Sequence, residues 1–162
     1  MTTEALEHYQ KAFAKLKRDK AQPWGENTTG GAPHKPFLLL AIMDLIADGQ
    51  IRQNVVEITP ELGDIFDLYW NKVIGQEKRG TLLLPFFHLH SDTFWHLVAV
   101  SGQEQVVRAT RSIRSFSQMK ELVAGATFDE ALFELLKEAE SRDALRKVLI
   151  EHYFHPDTRP VL

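Results

Sequence analysis

Cysteine is absent from the 162 residues. That omission removes disulfide frameworks, thiolate zinc sites and cysteine nucleophiles together, and it fits a reducing compartment. Long apolar runs are missing as well. The amino terminus, MTTEALEHYQKAFAKLKRDK, is amphipathic and charged, with no apolar stretch of signal-peptide length, and no later run approaches a membrane span. Neither a Gly-x-Ser-x-Gly elbow, a phosphate-binding loop nor a Gly-x-Gly-x-x-Gly turn occurs, so nucleophilic and nucleotide-dependent catalysis lack support. There is no internal repeat and no low-complexity tract. These absences lead to the expectation of a soluble, cytoplasmic protein with no membrane partner.

What is present suffices for one core. With 44% apolar and 25% charged residues, a chain of this length makes one domain more comfortably than two. We assign that domain to residues 1–155. Pro156 and Pro160 end the folded part, and residues 156–162 read as the start of a linker. The net charge of −3 is unevenly spread: residues 1–120 hold 14 Lys and Arg against 13 Asp and Glu, whereas residues 121–162 hold 5 against 9. The acidic excess therefore sits in the tail, and a local basic patch in the body stays compatible with binding phosphate.

Leu6, Tyr9, Phe13 and Leu16 recur at helical spacing, predicting an amphipathic helix over residues 1–20 that closes on Lys15, Lys17, Arg18 and Lys20. AQPWGENTTGGAP follows as a loop, with Trp24 in it as either a lid or a contact residue. Pro36 suits a first helical turn, and PFLLLAIMDLIADG predicts a strongly apolar core helix stopping at Gly49. A short strand is expected over 51–58, then a helix capped at Thr59-Pro60 and running to about Val73, then a polar break at GQEKRG. A hairpin is expected next, with strands over 82–89 and 94–100 and Ser91, Asp92 and Thr93 at its turn. QEQVVRATRSIRSFSQMKELV reads as loop passing into helix, with Arg108, Arg111 and Arg114 three apart. Helices over 129–137 and 142–154 complete the chain, the second with Leu145, Leu149 and Tyr153 along one face. The fold class is α+β, a mostly helical single domain with a small antiparallel sheet, winged-helix-like in part.

Several residues carry chemistry in this pattern. A proline inside a strand gives up a ladder donor and belongs at an edge or an entry position, so Pro85 either opens its strand or, with Leu84, lines an apolar cleft at the surface. His34 and Lys35 stand at the start of a helix, where backbone amides and a cation form an anion site; capping or loop packing is the plainer alternative for His34. His88 and His90 would share a strand face, with His96 across the turn, which raises a zinc site; no carboxylate at ligand spacing and no His-Glu-x-x-His accompanies them. Glu130, Glu134 and Glu138 read as a solvated helix face. Trp70 reads as core and Trp95 as hairpin packing.

GAPHKPFLLLAIMDLI, the spacing of about fifty residues to LLPFFHL, and the closing SDTFWHL resemble the sulfur-binding domain found upstream of HNH nuclease domains in modification-dependent (type IV) restriction endonucleases. The resemblance covers most of the chain, from the basic first helix to Tyr153-Phe154. It implies recognition of phosphorothioate duplex DNA, in which sulfur replaces one non-bridging phosphate oxygen, with no cofactor. By the resemblance, His34 and Lys35 lie at the phosphate and neighbouring bases, and the Pro85 ring faces sulfur with Leu84, Phe86 and His88 around the cavity. The chain departs from the family pattern where an aromatic residue commonly precedes that proline and a small residue follows three places on, since Leu84 and His88 stand there. No segment has an HNH composition, so the resemblance implies a binding domain only, with an HNH nuclease domain elsewhere in cis; it leaves the oligomeric state open.

The physics of such a site stands on its own. Sulfur is larger, softer and a poorer acceptor than oxygen, so an apolar wall accepts it, while an ordinary phosphate oxygen there loses water for nothing, at roughly 1–3 kcal/mol. Arg18, Lys20, Lys35, Lys78, Arg79, Arg108, Arg111 and Arg114 are the candidate cations for the phosphate backbone. Two other classes stay open from the sequence: a helical protein-interaction or regulatory module docking through an apolar hairpin, and a metal hydrolase using His88, His90 and His96.

Overall fold

Helix α2 (His34–Ala47) organises the molecule because it has no polar face: every residue from Lys35 to Met43 is buried. A helix apolar all round must be enclosed by other elements, and here α3, α4, α7 and α8 surround it. The computed structural model describes residues 3–18, 28, 31–75 and 81–162. Trp24, Lys20, Lys78 and Arg79 thus lie outside the described residues.

Helix α1 (Thr3–Ala14) lays Tyr9 and Phe13 against the body and packs on α8 (Ala139–Tyr153) and α7 (Glu130–Lys137). The Tyr153 hydroxyl fastens its end, donating to the Phe13 carbonyl and accepting from the Leu16 amide at 2.9 Å. Helix α3 (Pro60–Val73) starts as its sequence demands: Thr59 accepts from the Leu62 amide at 3.2 Å, and Pro60 fills the first turn, where no donor is lost. Its buried stripe of Leu62, Phe66, Tyr69, Trp70 and Val73 follows the helical period. Phe37 of α2 meets the rings of Phe66, Tyr69 and Trp70 at 6.0–6.3 Å and that of Phe154 at 5.2 Å.

The expected hairpin is not formed. Residues 82–89 make helix α4 (Leu83–His88) and enter a 3-10 turn, Leu89–Asp92. The reason is burial: Phe86, Phe87 and Leu89 are all wholly buried, which a strand with one face in water cannot achieve because neighbours point to opposite sides. Pro85 sits in the first turn of α4, where its missing amide costs no bond. Thr93, at φ 75°, then turns the chain into β1 (Trp95–Ala99).

Strand β1 pairs antiparallel with β2 (Val123–Phe128), Trp95 opposite Phe128, with an irregularity between Val98 and Ala99. Between the strands lie α5 (Glu104–Ala109) and α6 (Phe116–Leu122), the latter capped by Ser115. The sheet is therefore small and antiparallel as expected, and the fold mostly helical α+β, but its strands are distant in sequence. The expected strand over 51–58 is a correction too: Val56 alone bridges Ala126, and the Asn54 side chain completes the edge, donating to the Phe128 carbonyl at 2.7 Å and accepting its amide at 2.8 Å. Residues 156–162 carry a 3-10 turn, Arg159–Val161, with Thr158 buried, and Arg146 donates to the Leu162 carbonyl at 2.7 Å. Among the described residues no helix is long and apolar enough to cross a membrane.

Two glycines give opposite expectations. A Cβ on Gly125 would meet the Val56 carbonyl oxygen at 2.8 Å, whereas one on Gly63, inside α3, finds only ordinary contact with Leu82 at 3.6 Å. Gly125→Ala is expected to lower the unfolding free energy by about 1–3 kcal/mol, and Gly63→Ala to raise it by about 0.5–1 kcal/mol, both read from urea denaturation.

Candidate nucleic-acid interface

The helical state of α4 decides which of the sequence candidates can act together. In a strand, Leu84, Phe86 and His88 would share one face and Pro85 the other. In the helix, Leu84 and His88 are four apart and Pro85 and His88 three apart, so these three share a face. Phe86 turns inward instead. It is wholly buried, edge-on to Trp95 at 5.1 Å, and its carbonyl accepts from the Trp95 indole at 2.7 Å. Phe86 thus braces the shelf from within, on the side away from Leu84 and His88, and does not share the face on which the sequence reading grouped it with them. Leu84 is 39% exposed, Pro85 is buried and His88 half-buried.

Helix α4 packs on α2, and the first turn of α2 supplies the neighbouring polar groups. This helix start has Pro33 at the cap position and no side-chain cap bond, so its positive end is left to its surroundings. The His34 ring leans on Trp70 of α3 at 4.9 Å. Lys35 points the other way and is only 7% exposed; its ammonium lies 2.5 Å from a carboxylate oxygen of Asp92. The second oxygen of Asp92 accepts the Lys17 amide at 2.8 Å, just beyond α1. One carboxylate therefore ties together the exit of α1, the entrance of α2 and the turn after α4. Arg18 follows, its guanidinium 4.2 Å above the Tyr153 ring.

Electrostatics in this corner follow from burial. Desolvation pulls the Lys35 ammonium below the ordinary lysine range, and the hydrogen bond and charge of Asp92 act against it. His88 and His90, whose rings are 6.5 Å apart, are also pushed below the ordinary histidine value. Burial is the main cause for both and the nearby Lys35 charge the second. Both imidazoles are accordingly neutral at neutral pH and add no cation to this corner.

The remaining candidates are elsewhere. Arg108 on α5 and Arg111 beyond it are exposed. The three histidines of the zinc alternative do not assemble: His96, on β1, pairs with Asp129 at 2.6 Å, and the described residues contain no cluster of three or more His, Cys, Asp or Glu able to hold a metal ion.

A family model described as the ScoMcrA-like DNA sulfur-binding domain matches residues 13–162. The chain belongs to that family. Among solved structures, the sulfur-binding domain resembles one described as the sulfur binding domain and SRA domain of ScoMcrA complexed with phosphorothioated DNA, at a TM-score of 0.56 and 15% identity. The match covers 87% of this chain and 40% of that one, so this sulfur-binding domain spans well under half the length of its neighbour, and at that identity the likeness is one of fold. No curated protein matches the chain.

Sequence reasoning named Leu84, Pro85, His88, His34 and Lys35, but placed Asp92 in a turn and considered His90 only within the disfavoured zinc alternative. The signal for Asp92 was its isolation as the only acidic residue between Gly80 and Gln103, directly after a stretch rich in histidine. Two outcomes follow. Lys35→Met leaves Asp92 buried without its cation and is expected to cost about 3–5 kcal/mol, most of it regained in Lys35→Met with Asp92→Leu, by urea denaturation. The neutral His88 and His90 make the fold lose stability as pH falls below about 6.5 through their lowered folded values, because the unfolded chain takes up those protons first. Replacing both by Gln should flatten that part of the stability profile.

Proposed function

We propose that this domain recognises phosphorothioate-modified double-stranded DNA, receiving the sulfur on the shelf formed by Leu84, Pro85 and His88. What supports the reading most directly is the grouping of those three residues on one face of α4, against the helix start that carries His34 and Lys35. An exposed leucine and a proline ring offer sulfur dispersion contact and offer an oxygen nothing, so an ordinary phosphate loses roughly 1–3 kcal/mol there. Selectivity is then a penalty on the commoner ligand. His34, Arg18, Arg108 and Arg111, together with Lys20, Lys78 and Arg79, are the proposed contacts to the flanking backbone; Lys35 is committed to Asp92 and contributes as half of that pair.

In the same proposal the domain targets a modification-dependent restriction endonuclease in the cytoplasm, with strand cleavage carried out by an HNH domain joined in cis. The family to which the chain belongs favours this reading over a protein-interaction module. Binding should be measured on two short duplexes identical except for one phosphorothioate linkage, at two salt concentrations. The modified duplex is expected to bind about tenfold tighter or more, a difference of about 1.4 kcal/mol. Pro85→Ala should narrow that gap, and Arg111→Ala should weaken both duplexes alike while reducing the salt slope by about one unit. Equal binding of the two duplexes, or none, would overturn the reading.

A further inference from the structure

The cationic corner beside α4 contains one feature that a plain phosphate site does not need. Lys17 and Lys35 come together around Asp92 at the positive end of α2, and a generic anion site would leave such an ammonium exposed to its ligand. Here the ammonium of Lys35 is buried against Asp92, whose side chain is only 3% exposed. Asp92 is also the only carboxylate among the described residues whose charge acts on both Lys35 and His90. It spends both oxygens on this corner, one on the Lys35 ammonium and one on the Lys17 amide.

We propose that Asp92 is the positioning and selectivity residue of the sulfur site: it holds the Lys35 ammonium and the Lys17 backbone at one point beside the α4 shelf, and its charge cancels the attraction that any phosphate, modified or not, would otherwise find there. This rests on the sulfur-recognition reading of the same shelf. Oxygen is the better acceptor, so a lysine ammonium free of Asp92 would strengthen the unmodified phosphodiester more than the phosphorothioate and dilute discrimination. Neutralised as a pair, Lys35 and Asp92 leave the distinction to the apolar contact of Leu84 and Pro85 with the ligand atom. The carboxylate also sets where the ammonium can point, since a buried lysine with one strong partner has little freedom left.

The test uses the whole chain and the same pair of duplexes. Asp92→Asn keeps the side-chain shape and removes the charge. It is expected to bind the unmodified duplex about tenfold tighter at low salt, with a salt slope steeper by about one unit, so that the ratio between modified and unmodified duplex shrinks. His90 should then titrate at lower pH by NMR, because the charge that favours its protonated form is gone. Asp92→Glu keeps the charge, and so keeps Lys35 paired in a folded domain, but moves the ammonium by a methylene. It is expected to retain the wild-type salt slope and lose tight binding of the modified duplex alone. An Asp92→Asn domain with wild-type salt slope and unmodified-duplex affinity, or an Asp92→Glu domain with wild-type preference for sulfur, would overturn the proposal. If the wild-type domain itself does not distinguish the duplexes, the sulfur reading fails separately, and the salt slopes on unmodified DNA still report whether Asp92 screens Lys35.

Discussion

Everything in this fold follows from the enclosure of α2. A helix with nine consecutive buried residues from Lys35 to Met43 can be stable only where other elements cover its whole circumference, and four helices are recruited to do so. That demand reaches into the site. Because the burial begins within the first turn, it carries Lys35 out of water with the rest, and a buried ammonium requires a partner. Asp92 is that partner, and it is available only because the chain after α4 returns to the start of α2.

The same demand explains the form of α4. Covering α2 takes apolar side chains at adjacent positions, and Phe86, Phe87 and Leu89 are all turned inward. A six-residue helix with proline in its first turn meets this at no cost in hydrogen bonds. What it leaves outward is Leu84, with Pro85 and His88 on the same face. The shelf is thus the outer side of a core element, held from behind by the Phe86 to Trp95 contact and the indole hydrogen bond. A surface backed this way is held by the core behind it, which is what the proposed selection of a single atom by shape and polarity requires.

Charge in the corner is arranged for restraint. His88 and His90 are kept neutral by burial and by Lys35, and Lys35 is itself neutralised by Asp92. Arg108 and Arg111, the proposed contacts to a DNA backbone, are exposed. In the proposed reading, attraction to DNA in general and discrimination of one atom in it fall to different residues of a chain whose net charge is −3.

Sequence by itself determined α1, α2, α3, α7 and α8, because each carries the helical period, a cap or a breaker at its ends, and those signals are local. It also proposed Leu84, Pro85, His88, His34 and Lys35 for the site, and the structure sets Leu84, Pro85 and His88 on one face of α4. Tertiary structure alone decided the state of residues 82–92, where a short run dense in Phe and Leu fits a buried strand or a buried helix equally well by pattern. It decided that β1 pairs with β2, whose VAGATF sequence is too short and too small in its side chains to announce a strand, and that Asn54 and Val56 complete its edge. Above all it decided that Lys35 and Asp92, 57 positions apart, share one buried point. An ion pair across that distance leaves no local trace in either residue's neighbours, because what creates it is the enclosure of α2 and not any propensity of the residues themselves.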